Sequence, residues 1–244
     1  MSKSAWQLLG DYLKDTQLLG SIQSTLYWDQ NTSMPIAGST WRGEQLSLLA
    51  KQLHARQSSE QFEILIKEAK FELQNLKEKD DFDSQQMTDR FRNIELLEQD
   101  FNRQKSLDPK LVVELATAKS EGYMFWQEAK KNNDFKSFSP ALKKLISLRT
   151  EQSNQLDEER SCWETLAQPF EPNLKINRVR ELFEPLKKTL PELIQKAATI
   201  TNKKTEKWDL SISDQEKLCH ILLNDWSRDP SNTAIAKSPH PFSI

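Results

Sequence analysis

Apolar side chains recur every three or four residues along most of this chain, which is the spacing of one face of an α-helix. The stripes run from Trp6 to Leu26, Leu46 to Leu53, Phe62 to Leu76, Met87 to Phe101, Val112 to Trp126, Leu142 to Ile146, Val179 to Leu190 and Leu218 to Trp226. The alternation of apolar and polar residues that is typical of strands is missing. The pattern therefore predicts an all-α array of seven to nine helices.

Residues that begin and end helices separate these stripes. Helix starts are predicted by the capping boxes Ser58-x-x-Gln61, Asp83-x-x-Gln86 and Ser213-x-x-Glu216, and by the cap-plus-proline pairs Asp108-Pro109 and Ser139-Pro140. A stop is predicted at Asn132 and Asn133. Pro185 and Pro191 lie inside an otherwise helical stripe, where each costs about 3 kcal/mol, so we expect a kink or a break there.

Two apolar corners interrupt the helical pattern. The loop between Trp28 and Trp41 contains Met34 and Ile36, which makes it more apolar than a solvated turn. We therefore expect it to be ordered against the first two helices as a buried corner. A second packed corner is predicted for the aromatic residues Trp126, Phe135 and Phe138.

A domain boundary is predicted where the character of the sequence changes. Pro169 and Pro172 exclude a continuous helix in the stretch that begins at Cys162. We therefore divide the chain into a helical region, 1–161, and a proline-interrupted region with an extended tail, 162–244.

The composition limits the possible partners. Hydrophobic residues make up 36% and charged residues 29% of the 244 residues, so the chain has less core-forming material than a typical domain. The net charge is −2, and basic residues are not clustered in any stretch of the sequence, which argues against nucleic acid as a partner. Cys162 and Cys219 lack metal or redox spacing, and no long apolar run is present. We expect a cytoplasmic protein that does not associate with membranes.

The residues themselves do not complete an active site. A zinc hydrolase typically carries His-Glu-x-x-His, in which both histidines share one helix face, and this run is absent. The histidines His54, His220 and His240 are far apart in sequence, and none has a His or Cys one helical turn away. No Gly-x-Ser-x-Gly elbow and no outstanding carboxylate pair occur. We therefore assign no catalytic and no metal-binding residue.

Short motifs nevertheless occur in a characteristic order. They are Tyr27-Trp28-Asp29-Gln30, Met34-Pro35, Arg42-Gly43, His54, Trp126 with Ala129, Asp134-Phe135, Phe138 with Pro140, Glu171-Pro172, and Ser238-Pro239-His240-Pro241-Phe242. In order and spacing the chain resembles the carboxypeptidase Taq family of metallocarboxypeptidases. The resemblance covers nearly all of this chain but only about the N-terminal half of a full-length family member.

The resemblance implies a function for the complete protein, and it implies that the region 162–244 is the incomplete start of the catalytic region. Family members release C-terminal amino acids from peptides and use zinc or cobalt held by a His-Glu-x-x-His helix. That helix follows the His-Pro-Phe element, which corresponds to His240, Pro241 and Phe242 and lines the substrate cleft. Where the family usually has a Gly-Arg-Leu-Asp type run before this element, the chain has Ala234 to Lys237. Family members are commonly homodimers.

Two interpretations follow from these observations. The chain is either the N-terminal portion of a metallocarboxypeptidase, as a fragment, a split gene product or a degenerate copy, or a catalytically silent helical module that binds a partner protein. Under the first interpretation it is expected to be inactive alone and to act on peptides only when a C-terminal half completes it.

Overall fold

The computed structural model describes residues 3–77, 84–157, 159–200, 209–226, 229, 231–233 and 236–237. Within these residues the chain forms nine α-helices and no strand, which confirms the predicted all-α array. The helices are α1 (Ala5–Thr32), α2 (Ser39–Gln57), α3 (Glu60–Lys77), α4 (Ser84–Lys105), α5 (Pro109–Asn132), α6 (Phe135–Leu156), α7 (Cys162–Ala167), α8 (Ile176–Ile200) and α9 (Ile212–Asp225). A 3-10 helix, Ile36–Gly38, lies between α1 and α2. None of the described helices is long and apolar enough to cross a membrane.

The chain forms two compact units. The described residues up to Phe170 make up unit 1, and those from Glu171 to Lys237 make up unit 2. Helix α7 lies in unit 1, where it packs against α6. The domain boundary that we predict after residue 161 stays a prediction.

The main core of unit 1 lies between α1, α3 and α4. The helical stripes of these three elements place eight apolar side chains together: Leu9, Phe62, Ile66, Ala69, Leu73, Met87, Ile94 and Phe101. Tyr12 stacks on Phe62, with ring centroids 5.3 Å apart. The Tyr12 hydroxyl also donates to the Arg56 carbonyl at 2.8 Å, so it joins α1 to the end of α2.

A second layer of unit 1 consists of α2, α5 and α6. Leu111, Ala118 and Leu148 form its buried cluster, and small residues let the helices approach closely. A Cβ atom added at Gly122 would lie 3.0 Å from Leu145 Cδ1, so the α5–α6 contact is tight at this position. The Ser47 and Thr117 hydroxyls are hydrogen-bonded at 2.7 Å between α2 and α5.

Several helix ends agree with the sequence-based predictions and others are shifted. The start of α5 is confirmed, because the Asp108 side chain accepts from Lys110 N at 2.7 Å. The predicted stop is also confirmed, with Asn133 in the left-handed conformation at φ 51°. For α3 the predicted cap Ser58 is wrong. Ser58 Oγ donates back to the His54 carbonyl, and Ser59 Oγ accepts from Phe62 N at 3.1 Å.

Proline interrupts the helices less than predicted. Helix α6 begins one turn before Ser139-Pro140, because the Asp134 carboxylate accepts from the backbone N–H groups of Lys136 and Ser137. Pro140 therefore lies inside the helix. The start predicted at Asp83 lies outside the described residues.

Unit 2 consists mainly of α8 and α9. Helix α8 continues through Pro185 and Pro191, so the alternative of a break is wrong. Thr189 Oγ1 donates to the Pro185 carbonyl at 3.0 Å and supplies one local hydrogen bond in this stretch. The N-cap of α9 is Ser211, whose hydroxyl accepts from Asp214 N at 3.1 Å, and not the predicted Ser213. No described residue of α8 or α9 is buried.

Candidate functional site

The corner between α1 and α2 is held by one arginine side chain. Arg42 Nη2 lies 2.6 Å from Asp29 Oδ2, and its Nε donates to Gln45 Oε1 at 3.0 Å. Its Nη1 donates to the Leu26 carbonyl. The Arg42 side chain is 11% exposed and that of Asp29 is 36% exposed. The guanidinium therefore joins the last turns of α1 to the first turns of α2 in a half-buried setting.

The loop itself is ordered but is not a buried corner. Ile36 and Trp41 are each 67% exposed, so the predicted burial is wrong for both. Met34 is half-buried against Gly38, where an added Cβ would lie 3.5 Å from Met34 Cγ. Hydrogen bonds and the Arg42 ion pair thus fix the loop where apolar burial was expected to do so.

Helix α1 extends further than the sequence suggested. It runs to Thr32, because the side chains of Asn31 and Thr32 donate to the carbonyls of Tyr27 and Trp28 at 2.6 and 2.7 Å. The cap residue Ser33 donates its backbone N–H to Asp29 O at 3.0 Å. The extra turn places Tyr27, Gln30 and Asn31 opposite α5.

A cavity of about 520 Å³ lies beside this turn, between α1, α5 and α6, and we call it the α1–α5–α6 cavity. Its walls include Tyr27, Gln30, Ser120, Tyr123, Trp126 and Phe138. Tyr123 and Trp126 are in contact, with ring centroids 5.6 Å apart. Trp126 and Phe138 are half-buried. Phe135 contacts Phe138 edge-on, with ring centroids 6.3 Å apart, although Phe135 itself is 67% exposed.

The floor of the cavity is polar. Gln30 is 5% exposed, and its Nε2 donates to Ser120 Oγ at 3.1 Å. Its Oε1 has no hydrogen-bond partner among the described residues. Sequence reasoning missed this pair, because Gln30 and Ser120 are 90 positions apart and no spacing rule connects them.

The rim of the cavity carries a positive charge. Lys119 is an exposed residue, and its Nζ lies 5.0 Å from the centroid of the Tyr27 ring. Burial of the ammonium and the nearby charge of Arg149 lower the pKa of Lys119. Burial also raises the pKa of Tyr27. Among the residues described, Lys119 has no ion-pair partner.

A larger cleft of about 1370 Å³ lies on another side of unit 1, where α1, α2 and α4 meet the segment that ends at Phe170. His54 is 4% exposed at its edge, with Nδ1 3.4 Å from Gln104 Oε1. Arg103 donates to the Thr165 carbonyl at 3.1 Å, and its pKa is lowered mainly by burial. Phe170 is 87% exposed, so this cleft is open.

The two histidines that the structure describes belong to different units. His54 is buried in unit 1, and His220 is exposed on α9 of unit 2. The predicted substrate-lining residues His240, Pro241 and Phe242 lie outside the described residues. No group of three His, Cys, Asp or Glu side chains that could hold a metal occurs in the residues searched.

The fold and the motifs agree with one family of known proteins. The model of the carboxypeptidase Taq (M32) metallopeptidase family matches residues 8–244. Thermostable carboxypeptidase 1 of Thermus thermophilus is 25% identical over 255 residues, which cover 99% of this chain and 48% of the relative. Carboxypeptidase 1 of Bacillus subtilis is 23% identical over 96% of this chain and 45% of its own length.

Solved structures show the same fold. The BsuCP crystal structure matches with a TM-score of 0.85 at 22% identity, over 98% of this chain and 46% of that one. Metallocarboxypeptidase 1 of Trypanosoma cruzi matches with a TM-score of 0.70 at 25% identity, over 98% of this chain and 47% of that one. This chain thus spans about half the length of the relatives that it matches.

Proposed function

Because this chain belongs to the carboxypeptidase Taq (M32) family, we propose that it forms the N-terminal portion of a metal-dependent enzyme that releases C-terminal amino acids from peptides. Alone it is inactive. The catalytic metal, zinc or cobalt, and its ligands belong to the C-terminal portion of the fold. The chain acts on peptides only when that portion is present.

Among the residues that the structure describes, no set of side chains fits a resident catalytic metal. A hydrolytic zinc needs three protein ligands and one open position for water. The described residues contain no such group, and the sequence contains no His-Glu-x-x-His. We therefore assign this chain a binding and scaffolding role and derive no chemical step through the metal.

The observation that carries this proposal is an uncovered apolar stripe on α8. Its members are spaced as one helix face and are each 43% to 64% exposed: Leu182, Phe183, Leu186, Leu190, Leu193 and Ile194. Covering the exposed part of each side chain contributes on the order of 1 kcal/mol, or about 6 kcal/mol in all before the costs of association. A face of this kind needs an apolar partner, and the remaining half of the family fold is the partner that we propose.

Within the assembled protein we propose that His240, Pro241 and Phe242 line the substrate cleft. The family resemblance of this run supports the proposal. An imidazole at that position can orient a peptide or stabilise developing charge once metal and water are present. Free Cys162 and Cys219 suit a reducing compartment, so we propose a cytoplasmic location.

A second candidate function uses the same stripe. A catalytically silent module would present α8 to an unrelated protein or to a second copy of the chain, which would make a homodimer. The apolar stripe favours such binding, but the family match over residues 8–244 favours the enzyme portion.

The test is complex formation with the separately expressed C-terminal portion of the Bacillus subtilis carboxypeptidase 1. Size-exclusion chromatography with light scattering should show a 1:1 complex. Phe183→Glu, on α8 and 56% exposed, should abolish it, whereas Phe71→Glu, on α3 and 65% exposed, should leave it intact. A homodimer that excludes the C-terminal portion would favour the second function, and equal effects of both variants would refute docking through α8.

A further inference from the structure

The α1–α5–α6 cavity has the size and the walls of a small-ligand site. Its volume of about 520 Å³ falls within the range of about 300 to 1,000 Å³ that is usual for ligand pockets. Tyr27, Tyr123, Trp126 and Phe138 supply four aromatic rings around it. Such rings accommodate a flat apolar body by offset stacking or edge contacts.

The floor of the cavity has an unmet hydrogen-bonding requirement. Gln30 is 95% buried by area and uses its Nε2 on Ser120, so Oε1 is left without a partner among the described residues. Rotating the amide by 180° does not remove the problem. Ser120 Oγ would then pair with Oε1, and Nε2 would become the unpaired atom. A hydroxyl group brought by a ligand can donate or accept, so it satisfies either orientation.

The rim of the cavity carries the ammonium of Lys119, which has no carboxylate partner among the described residues. The Lys119 ammonium sits above the Tyr27 ring, and the positive charge of Arg149 is close enough to lower the pKa of Lys119. The structure gives neither cation a carboxylate partner within the described part of the chain. An anion at the rim would form a charge-assisted hydrogen bond with Lys119.

We propose that the α1–α5–α6 cavity binds a small aromatic monocarboxylate, with its carboxylate on Lys119, its ring among the aromatic walls, and a hydroxyl or N–H at the far end on Gln30. This site is separate from the proposed peptidase function and does not depend on it. All of its residues belong to unit 1, so the 244-residue chain is sufficient for binding.

The test is isothermal titration calorimetry of the 244-residue chain with three related compounds. The first is 3-(4-hydroxyphenyl)propionate, which offers both polar ends. The second is 3-phenylpropionate, which lacks the hydroxyl, and the third is 3-(4-hydroxyphenyl)propan-1-ol, which lacks the charge. We expect one saturable site for the first compound and a Kd about tenfold higher for each of the others, since each loses one strong polar contact.

Variants connect each compound to a residue. Lys119→Met keeps the stem and removes the charge, so it should raise the Kd of the hydroxyphenyl acid about tenfold and leave that of the alcohol unchanged. Lys110→Met, on the same helix but exposed and away from the cavity, should change neither value. Gln30→Met should remove the difference between the two acids. Circular dichroism verifies that each variant is folded.

Two results would overturn the proposal. The first is no saturable heat with the hydroxyphenyl acid at millimolar concentration, which would mean that water alone satisfies Gln30. The second is equal binding of the acid and the alcohol by the wild-type chain. This comparison needs no variant, so it decides the matter even if Gln30→Met fails to fold.

Discussion

Arg42 is the side chain on which the α1–α2 corner depends most. Replacing it with Met keeps the aliphatic stem and removes three hydrogen bonds, to Leu26 O, Asp29 Oδ2 and Gln45 Oε1. A hydrogen bond to a charged group contributes about 1.5–3 kcal/mol when buried and less when exposed. Because Asp29 is 36% exposed, the three hydrogen bonds together contribute less than three buried ones would. We expect Arg42→Met to lower the free energy of unfolding by about 3 kcal/mol.

Urea unfolding followed by circular dichroism at 222 nm measures this loss. With a denaturant slope of about 2–3 kcal/mol per molar, Arg42→Met should lower the midpoint by about 1 M. Arg42→Lys should lose roughly half as much, because one ammonium cannot reach three acceptors in a fork geometry. The control is Arg92→Met, whose ion pair with Glu95 joins side chains 60% and 56% exposed and should shift the midpoint by about 0.2 M or less. Equal shifts for Arg42→Met and Arg92→Met would refute the importance of the corner.

Two further predictions use helix packing and pH. Gly20→Ala, with nothing within 4 Å of the new Cβ, should stabilise unit 1 by about 0.5–1 kcal/mol. Gly122→Ala should raise the urea midpoint less than Gly20→Ala or lower it, because Leu145 Cδ1, 3.0 Å from the new Cβ, must move; equal gains for the two variants would contradict this. Hydrogen bonding to Lys105 and then Lys67 lowers the pKa of Glu63 from 4.5 to about 2, so its contribution to stability is present above pH 4.5 and is lost as the pH falls toward 2. The midpoint difference between wild type and Glu63→Gln should therefore be larger at pH 6 than at pH 2, and a difference that is independent of pH would contradict this.

The sequence predicts helix content well because the apolar period is strong over long stretches. Helix α5 is predicted almost completely, since Asp108, Pro109 and the Asn133 stop are local signals that the structure uses. Helix caps are harder to predict from the sequence, because either of two neighbouring serines can cap the helix. Ser58 closes α2 and Ser59 opens α3, and only their hydrogen bonds decide between them.

The candidate site was only partly visible in the sequence. The motif residues Asp29 and Arg42 were identified by resemblance, but their ion pair and the exposure of Trp41 depend on tertiary geometry. The Gln30–Ser120 contact joins helices far apart in the chain, so no local pattern reveals it. An apolar residue at a corner between helices is buried only when a neighbouring element covers it, and no described element covers Trp41, which lies in the first turn of α2.

We propose that this chain supplies the N-terminal portion of a metallocarboxypeptidase and is inactive alone. The most direct measurement is the release of C-terminal amino acids from a peptide by the purified 244-residue chain, with and without added zinc or cobalt, and with and without the C-terminal portion of the Bacillus subtilis relative. Metal bound after dialysis is measured in parallel, and the C-terminal portion alone is the control. We expect no release and no stoichiometric metal for the chain alone, and metal-dependent release when both portions are present. About one bound metal with metal-dependent release by the 244-residue chain alone would contradict the claim.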